Sequence, residues 1–191
     1  MEIYFVRHGK TDYNKHGRVM GYIDKPLNEE GFAQARELAE NIKDEHFDLI
    51  YCSPLMRAKQ TAQAINEHQK CPIFYDHRII ERDCGMLAGV YYNELDKQKS
   101  KWSWVIGDTN CKQYKIETVD SMMQRVQSLI NYLEETWPDK KILFVSHSGV
   151  AMVLNALQNN MKEGDDIFKK IKTPNAELMK FNVCSNSKEM Q

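Results

Sequence analysis

The sequence of 191 residues contains no long hydrophobic run. Its longest apolar stretches, Ile3–Val6, Ile142–Val145 and Val150–Leu154, are far shorter than the roughly 20 residues that cross a bilayer. The first residues also lack the basic start and the apolar core of a signal peptide. From these absences we expect a cytoplasmic protein with no membrane partner.

Cysteine gives no sign of a cross-link or a metal site. The five cysteines are odd in number and widely spaced, and the chain has no C-x-x-C pair and no Cys/His ligand spacing. Neither a disulfide framework nor a zinc site is indicated, and we expect reduced thiols.

The chain also has little net charge. Its formal charge of −1 gives no general attraction for nucleic acid or anionic membranes, so we expect no nucleic-acid partner. Any anion must therefore be held by a local group of basic side chains. The composition favours neither a monomer nor a homodimer.

Short β-rich runs alternate with helical periodicity, and no repeat or linker divides the chain, which predicts one domain over residues 1–191. Strands are predicted at Ile3–Val6, Phe47–Cys52, Pro72–Tyr75, Ile142–Val145 and Ala176–Val183. Helices are predicted after Asn28, over Leu55–Glu67, from Thr118 to Pro138 and over Val150–Leu157. This alternation predicts an α/β fold with three layers (α/β/α), in which helices cover both faces of a mostly parallel sheet.

Residues 77–117 lack a clear period and are predicted to form an inserted loop or lid region with a short helix. Within this region, Tyr91–Lys115 mixes aromatic residues with lysines. Two interpretations stay open for it. It is either a lid that determines specificity or a solvated surface helix with its aromatic rings in the core.

Functional side chains follow four of the predicted strands. The first strand ends at Arg7 and His8, and the fourth ends just before His147. The second leads to Arg57 in the first turn of a helix, and the third leads to a loop with Glu81. Each residue alone has an ordinary structural explanation. Ligands of open α/β sheets bind outside the carboxyl ends of the strands, so the four together predict one pocket at that edge.

Five motifs follow one another along the chain. They are R-H-G-x-T-x-x-N at Arg7–Asn14, P-L-x-x-x-G-x-x-Q-A at Pro26–Ala35 after Gly21, S-P-L-x-R-A-x-Q-T-A at Ser53–Ala62, E-x-x-x-G-x-x-x-G at Glu81–Gly89, and V-S-H-x-G at Val145–Gly149. This ordered set resembles the histidine phosphatase superfamily, also called phosphoglycerate mutase-like. Cys84, Leu87 and Ala88 stand where the family has an aromatic residue, Trp and Glu.

The resemblance implies a metal-independent phosphatase that hydrolyses small-molecule phosphomonoesters through a phosphohistidine on His8, with Glu81 as the proton donor. The implied catalytic residues are His8, Glu81, Arg7, Arg57 and His147. The implied substrate-binding residues are Arg7, Asn14, Gly21, Arg57, His147 and Ser148. It further implies a small phosphorylated metabolite as the binding partner, with no metal and no cofactor.

Three alternatives stay open at this point. Asp83 or His147 would take the place of Glu81 if Glu81 does not supply the proton. A cofactor-dependent phosphoglycerate mutase resembles the same motifs but has a longer chain. A catalytically inactive, phosphate-binding regulator is the alternative from another functional class, although every charged catalytic position is retained.

Overall fold

The computed structural model describes residues 1–96, 108–161 and 171–183 of the chain. A five-stranded sheet consists of β1 (Glu2–Arg7), β2 (Leu49–Cys52), β3 (Ile73–Tyr75), β4 (Lys141–Ser146) and β5 (Leu178–Phe181). The helices of the described residues are α1 (Asp12–Lys15), α2 (Glu29–Asn41), α3 (Met56–Gln69), α4 (Tyr92–Asp96), α5 (Asp108–Tyr114), α6 (Val119–Thr136) and α7 (Ser148–Gln158). The five predicted strands and the four long predicted helices are all present.

The strands lie in the order β3-β2-β4-β1-β5. Four of them are parallel, and β5 runs antiparallel to β1 at one edge. In the central pair, Arg7 of β1 lies opposite Ser146 of β4. The two strands therefore end at the same level, and whatever follows them leaves the sheet side by side.

Helices α2 and α3 cover one face of the sheet. Alternate side chains of the strands point to this face, as the pleat of a strand requires. The buried cluster between them comprises Val6, Ile50, Cys52, Leu143 and Val145 from the strands with Leu38, Ala39, Ile42, Ala58, Ala62 and Ile65 from the helices.

Helices α6 and α7 cover the opposite face. Met122, Val126, Leu129, Ile130 and Leu133 of α6 are fully buried at spacings of three and four. They pack with α7 against Ile3, Phe5, Leu49, Ile142 and Phe144 of the strands. The two clusters produce the three layers that the sequence predicts.

The starts of the long helices follow from local chemistry. Asn28 accepts a hydrogen bond from Gly31 N (2.8 Å) at the start of α2, and Thr118 caps α6 in the same way. Helix α3 has no such side chain at its own N-cap. Instead Asp24 accepts a hydrogen bond from Met56 N (2.7 Å), which attaches the loop before α2 to the start of α3.

The described part of the 77–117 region contains more helix than predicted. It has 3-10 turns at His77–Ile79 and Gly85–Leu87 as well as α4 and α5, where a single short helix was expected. Such short helices have no apolar periodicity to reveal them. Part of the predicted Tyr91–Lys115 element lies outside the described residues, including Lys97, Lys99, Lys101, Trp102 and Trp104.

The cysteines of the described residues, Cys52, Cys71, Cys84 and Cys111, are free thiols, and Cys184 lies outside those residues. Within the same three ranges, no helix combines the length and apolarity needed to cross a membrane.

Candidate active site

The carboxyl ends of β1 and β4 bring two histidines together. His8 directly follows β1 and His147 directly follows β4, and their ring centroids lie 5.2 Å apart. Both side chains are buried. The backbone continues the strand pairing, since His8 N donates to Ser146 O (2.9 Å).

A hydrogen bond to the backbone determines the tautomer of His8. Its Nδ1 lies 2.7 Å from the carbonyl oxygen of Gly9. A carbonyl can only accept, so Nδ1 carries the proton and Nε2 keeps its lone pair. Burial, with the charges of Arg57 and Arg7, lowers the pKa of His8 well below its usual 6.5. His8 is therefore a neutral imidazole near pH 7, with Nε2 as its basic atom.

The backbone around His8 is held from two sides. Gly9 N donates to Thr61 Oγ1 (3.0 Å), whose own hydroxyl donates to the carbonyl of Arg57 in α3 (2.8 Å). On the other side, Asn175 Nδ2 donates to the carbonyl of His8 (2.7 Å). The ring is thereby fixed between α3 and the segment before β5.

Arg57 is completely buried although it lies in the first turn of a surface helix. Its Nη1 and Nη2 donate to the carbonyls of Ile23 (2.9 Å) and Gly21 (3.0 Å), and its Nε has no partner. Burial lowers the pKa of Arg57 to about 10, while the charge of Glu81 opposes that shift. Arg57 remains a cation at neutral pH, held by carbonyl dipoles.

Arg7 is the second cation of the site. Its Nη1 donates to the carbonyl of Thr173 (2.6 Å), and its buried Nε has no partner. Burial lowers the pKa of Arg7, and the charge of Glu81 opposes this. Among the described residues, neither Arg7 nor Arg57 forms a salt bridge with a carboxylate. Within these residues, both guanidinium charges are thus left without a bonded carboxylate.

His147 makes a single hydrogen bond through its ring. Its Nε2 lies 2.7 Å from Ser53 Oγ, and its buried Nδ1 has no partner. Burial, with the charges of Arg57, His8 and Arg7, lowers the pKa of His147 well below its usual value. His147 is also the N-cap of α7, so the positive end of that helix dipole adds to the potential of the site.

Glu81 extends from the loop after the first 3-10 turn toward the start of α7. Its Oε1 accepts hydrogen bonds from Arg82 N (2.9 Å) and Gly149 N (3.2 Å). A methyl group on Gly149 would lie only 2.5 Å from that oxygen, so glycine is required for this approach. The negative charge of Glu81 opposes the lowering of the pKa of both Arg7 and Arg57.

The other three sequence-predicted residues differ in what they present to the pocket. Asn14 forms a capping box with Thr11. Its Oδ1 accepts hydrogen bonds from Thr11 N and Thr11 Oγ1 (both 3.0 Å). Gly21 has φ +51° and no space for a side chain beside Cys84, and its carbonyl holds Arg57. The hydroxyl of Ser148 makes a hydrogen bond with Thr173 Oγ1 (2.5 Å), which uses part of its bonding capacity.

A family model of the histidine phosphatase superfamily (branch 1) matches residues 3–191. The chain belongs to this superfamily. Individual relatives agree. The Bacillus subtilis protein named Uncharacterized phosphatase PhoE is 33% identical over 171 residues, which are 90% of this chain and 82% of that protein. Phosphoserine phosphatase 1 of Hydrogenobacter thermophilus is 31% identical over 150 residues, which are 78% of this chain and 71% of that protein.

A solved structure of the same family shares the fold. The Entamoeba histolytica phosphoserine phosphatase in complex with 3-phosphoglyceric acid aligns with a TM-score of 0.80 at 25% identity, covering 95% of this chain and 90% of that chain. The similarity covers nearly the whole chain, so the two proteins share the fold as a whole.

Several side chains that hold the candidate site are missing from the residues predicted from the sequence. Ser53 and Thr61 belong to the S-P-L-x-R-A-x-Q-T-A motif, but the sequence alone indicates no role for either residue. Thr173 and Asn175 precede β5 in a segment with no motif and no period, so no sequence signal marks them. Within the described residues, no group of three or more His, Cys, Asp and Glu side chains is placed to hold a metal ion.

Proposed function

We propose that this histidine phosphatase hydrolyses small-molecule phosphomonoesters through a phosphohistidine formed on His8, without a metal ion. The observation that carries the proposal is the buried hydrogen bond from Nδ1 to the carbonyl of Gly9. An imidazole attacks phosphorus only through an unprotonated nitrogen, and this bond keeps Nε2 unprotonated. The phosphatase names of the relatives support hydrolysis as the reaction type.

The dianionic phosphoryl group meets complementary charge in this pocket. Arg7 and Arg57 supply planar guanidinium groups with donors left over after their carbonyl contacts. We assign the remaining contact to His147. If Ser53 donates its hydroxyl hydrogen to Nε2, then Nδ1 of His147 carries a proton that it donates to a phosphoryl oxygen. These groups stabilise charge on the equatorial oxygens of the transition state.

The reaction then takes two steps. In the first, Nε2 of His8 forms a bond to phosphorus while the ester P–O bond breaks, and protonated Glu81 gives its proton to the leaving alcohol. In the second, water attacks the phosphohistidine and gives its proton to the Glu81 carboxylate. The P–N bond breaks, inorganic phosphate leaves, and His8 returns to its neutral form.

We further propose that two tyrosines contact the alcohol part of the substrate. Tyr22 and Tyr92 are about half exposed, and burial is the main cause that raises the pKa of both phenols, to which the charge of Glu81 adds a smaller contribution. Phosphoserine and phosphoglycerates are the first substrates to test, because relatives are named for or solved with them.

The decisive experiment is to trap the phosphoenzyme. Rapid quenching with a labelled phosphomonoester should give an acid-labile, alkali-stable phosphoprotein, which His8→Ala abolishes. His68→Ala is the matched control, because His68 is exposed at the end of α3 opposite to the end that carries Arg57. Full turnover by His8→Ala would end the proposal.

The same preparation decides between the alternatives. Release of inorganic phosphate without isomerisation of a phosphoglycerate argues against a mutase, and any turnover argues against an inactive regulator. Activity should survive thorough chelation, since Arg7 and Arg57 neutralise the phosphoryl charge. Loss on chelation with recovery on adding a divalent cation would overturn the metal-independent mechanism.

A further inference from the structure

Glu81 stands in a stretch without helix or strand, between the turns at His77–Ile79 and Gly85–Leu87. Such a stretch has no ladder of backbone hydrogen bonds to hold it. Two backbone N–H groups donate hydrogen bonds to its carboxylate. These bonds fix the carboxylate only if the backbone of Glu81 is also fixed. The question is which groups hold that backbone.

Arg125 of α6 binds both this stretch and the turn before it. Its Nη1 donates to the carbonyl of Arg78 (2.7 Å), and its Nη2 donates to the carbonyl of Glu81 itself (3.2 Å). The remaining donors face Glu117, with Nε to Oε1 at 2.6 Å and Nη2 to Oε2 at 3.0 Å. This ion pair is largely buried and is bidentate, so the guanidinium plane has one fixed orientation.

Glu117 binds the stretch from its other end. Its backbone N donates to the carbonyl of Asp83 (2.9 Å), and its carboxylate accepts from Asp83 N (3.3 Å). Its own carbonyl accepts from Arg82 Nε (2.8 Å). Residues 78 and 81–83 are thus attached to α6 and to the residue before its N-cap.

We infer that Arg125 and Glu117 are positioning residues for the proton transfer, acting through Glu81. Arg125 and Glu117 form one clamp that holds the backbone of Glu81, while the backbone N–H of Gly149 donates a hydrogen bond to the carboxylate of Glu81. The inference rests on the proposed role of Glu81 as proton donor. It gives a reaction-specific task to an ion pair that touches neither the phosphoryl group nor His8.

Arg125→Lys separates geometry from charge. Lysine keeps the positive charge near the site, where Arg125 contributes to the lowered pKa of His147. A single ammonium group cannot reproduce the fork that reaches Glu117, Arg78 and Glu81 together. The backbone of Glu81 then gains freedom, and a displacement of about 1 Å at a reacting group can cost about 100-fold.

The measurement is single-turnover phosphorylation of the enzyme by an alkyl phosphate and by p-nitrophenyl phosphate. An alkoxide leaves badly without a proton, whereas p-nitrophenolate needs little help. Arg125→Lys and Glu117→Gln should slow the alkyl ester about 10- to 100-fold and the aryl ester by less than about threefold. A merely structural role would slow both esters alike. Arg36→Lys is the matched control, because Arg36 is exposed on α2.

A double variant tests whether the clamp acts through Glu81. In a Glu81→Gln background, Arg125→Lys should leave the ratio of the alkyl to the aryl rate unchanged, because the proton that it positions is already absent. A further fall in that ratio would overturn the inference. So would an alkyl-to-aryl ratio in Arg125→Lys equal to that of Arg36→Lys.

The two ideas fail in different ways. If Glu81→Gln itself slows both esters equally, the proton-donor role of Glu81 is wrong and the clamp falls with it. If Glu81→Gln slows only the alkyl ester but the clamp variants do not, the clamp alone is refuted. Glu117→Gln keeps the test available should Arg125→Lys fail to fold.

Discussion

Gly149→Ala offers a way to displace the proposed proton donor, Glu81, with little change in the stability of the protein. Gly149 lies in the first turn of α7, and its N–H donates to Glu81 Oε1. A methyl group there would lie 2.5 Å from that oxygen and 3.0 Å from Met122 Cε. The end of the methionine can turn away, whereas the carboxylate can move only by rotation of the Glu81 side chain, because the backbone of Glu81 is held.

The size of the effect follows from the distances. Ordinary contact begins near 3.4 Å, so Oε1 must retreat by about an ångström and give up the 3.2 Å hydrogen bond to Gly149 N. A shift of that size at a reacting group costs about 100-fold in rate. Alanine meanwhile gains up to about 1 kcal/mol over glycine within a helix, which offsets part of the crowding. Activity and stability should therefore separate.

The assay pairs single-turnover rates with a thermal melt. We expect phosphorylation by an alkyl phosphate to fall about 100-fold in Gly149→Ala, with a much smaller loss for p-nitrophenyl phosphate and little change in Tm. In the Glu81→Gln background the same substitution should cost little more. Unchanged alkyl activity would refute the reasoning, as would equal losses on both esters, which would place the damage at the phosphoryl group.

Further predictions concern the groups around the phosphoryl position. His8 and His147 have pKa values well below 6.5 in the folded protein, so below about pH 6.5 the unfolded chain binds protons that the folded chain does not. As the pH decreases below about 6.5, the free energy of unfolding should decrease by up to about 1.4 kcal/mol per pH unit for each histidine, until the pH reaches the pKa of the folded state. Urea titrations of His147→Gln should show about half of this slope. Ser53→Ala removes the hydrogen bond that orients His147, and should lower kcat/KM about 2- to 10-fold, with no change if Ser53 only fills space. Arg57→Lys loses the contacts to two carbonyls and a forked donor. The lower kcat/KM should correspond to a loss of about 1.5–3 kcal/mol in transition-state stabilisation. A decrease in kcat/KM of less than twofold would show that the phosphoryl group does not bind there. Vanadate should inhibit competitively, because it adopts the five-coordinate geometry of the transition state, and indifference to millimolar vanadate would speak against this phosphoryl site.

The fold was predictable where periodicity and caps agree. The apolar spacing of α6 and its cap at Thr118 are local features, so its bounds needed no tertiary information. The direction of β5 did not follow from sequence, because the pairing of Ile3 with Phe181 depends on a chain path that no pattern encodes. The sequence predicted only one short helix where the structure has α4 and α5. The stability of these helices depends on packing around Leu87, Cys111 and Ile116 rather than on helix propensity.

The placement of the candidate site divides in the same way. The positions of His8 and His147 follow from two buried strands that end in histidine, once the strands are parallel neighbours. The burial of Arg57 could not be inferred, since a first-turn arginine is ordinarily solvated, and only the carbonyls of Gly21 and Ile23 allow it. The hydrogen bond from Asn175 to the carbonyl of His8 could not be predicted from the sequence, because it is a single contact between segments far apart in the chain.

The position of β1 between β4 and β5 has a consequence for the nascent chain. Ile3 pairs with Ile142 on one side and with Phe181 on the other, so β1 is synthesised long before both of its neighbours. At about 5–20 residues per second, an apolar strand waits several seconds to roughly half a minute on the ribosome with both edges unpaired. Arg7 and His8 meet His147 only after that wait, so the candidate site forms late in translation. A chain stalled before β4 would lack this site and would expose β1 to chaperones.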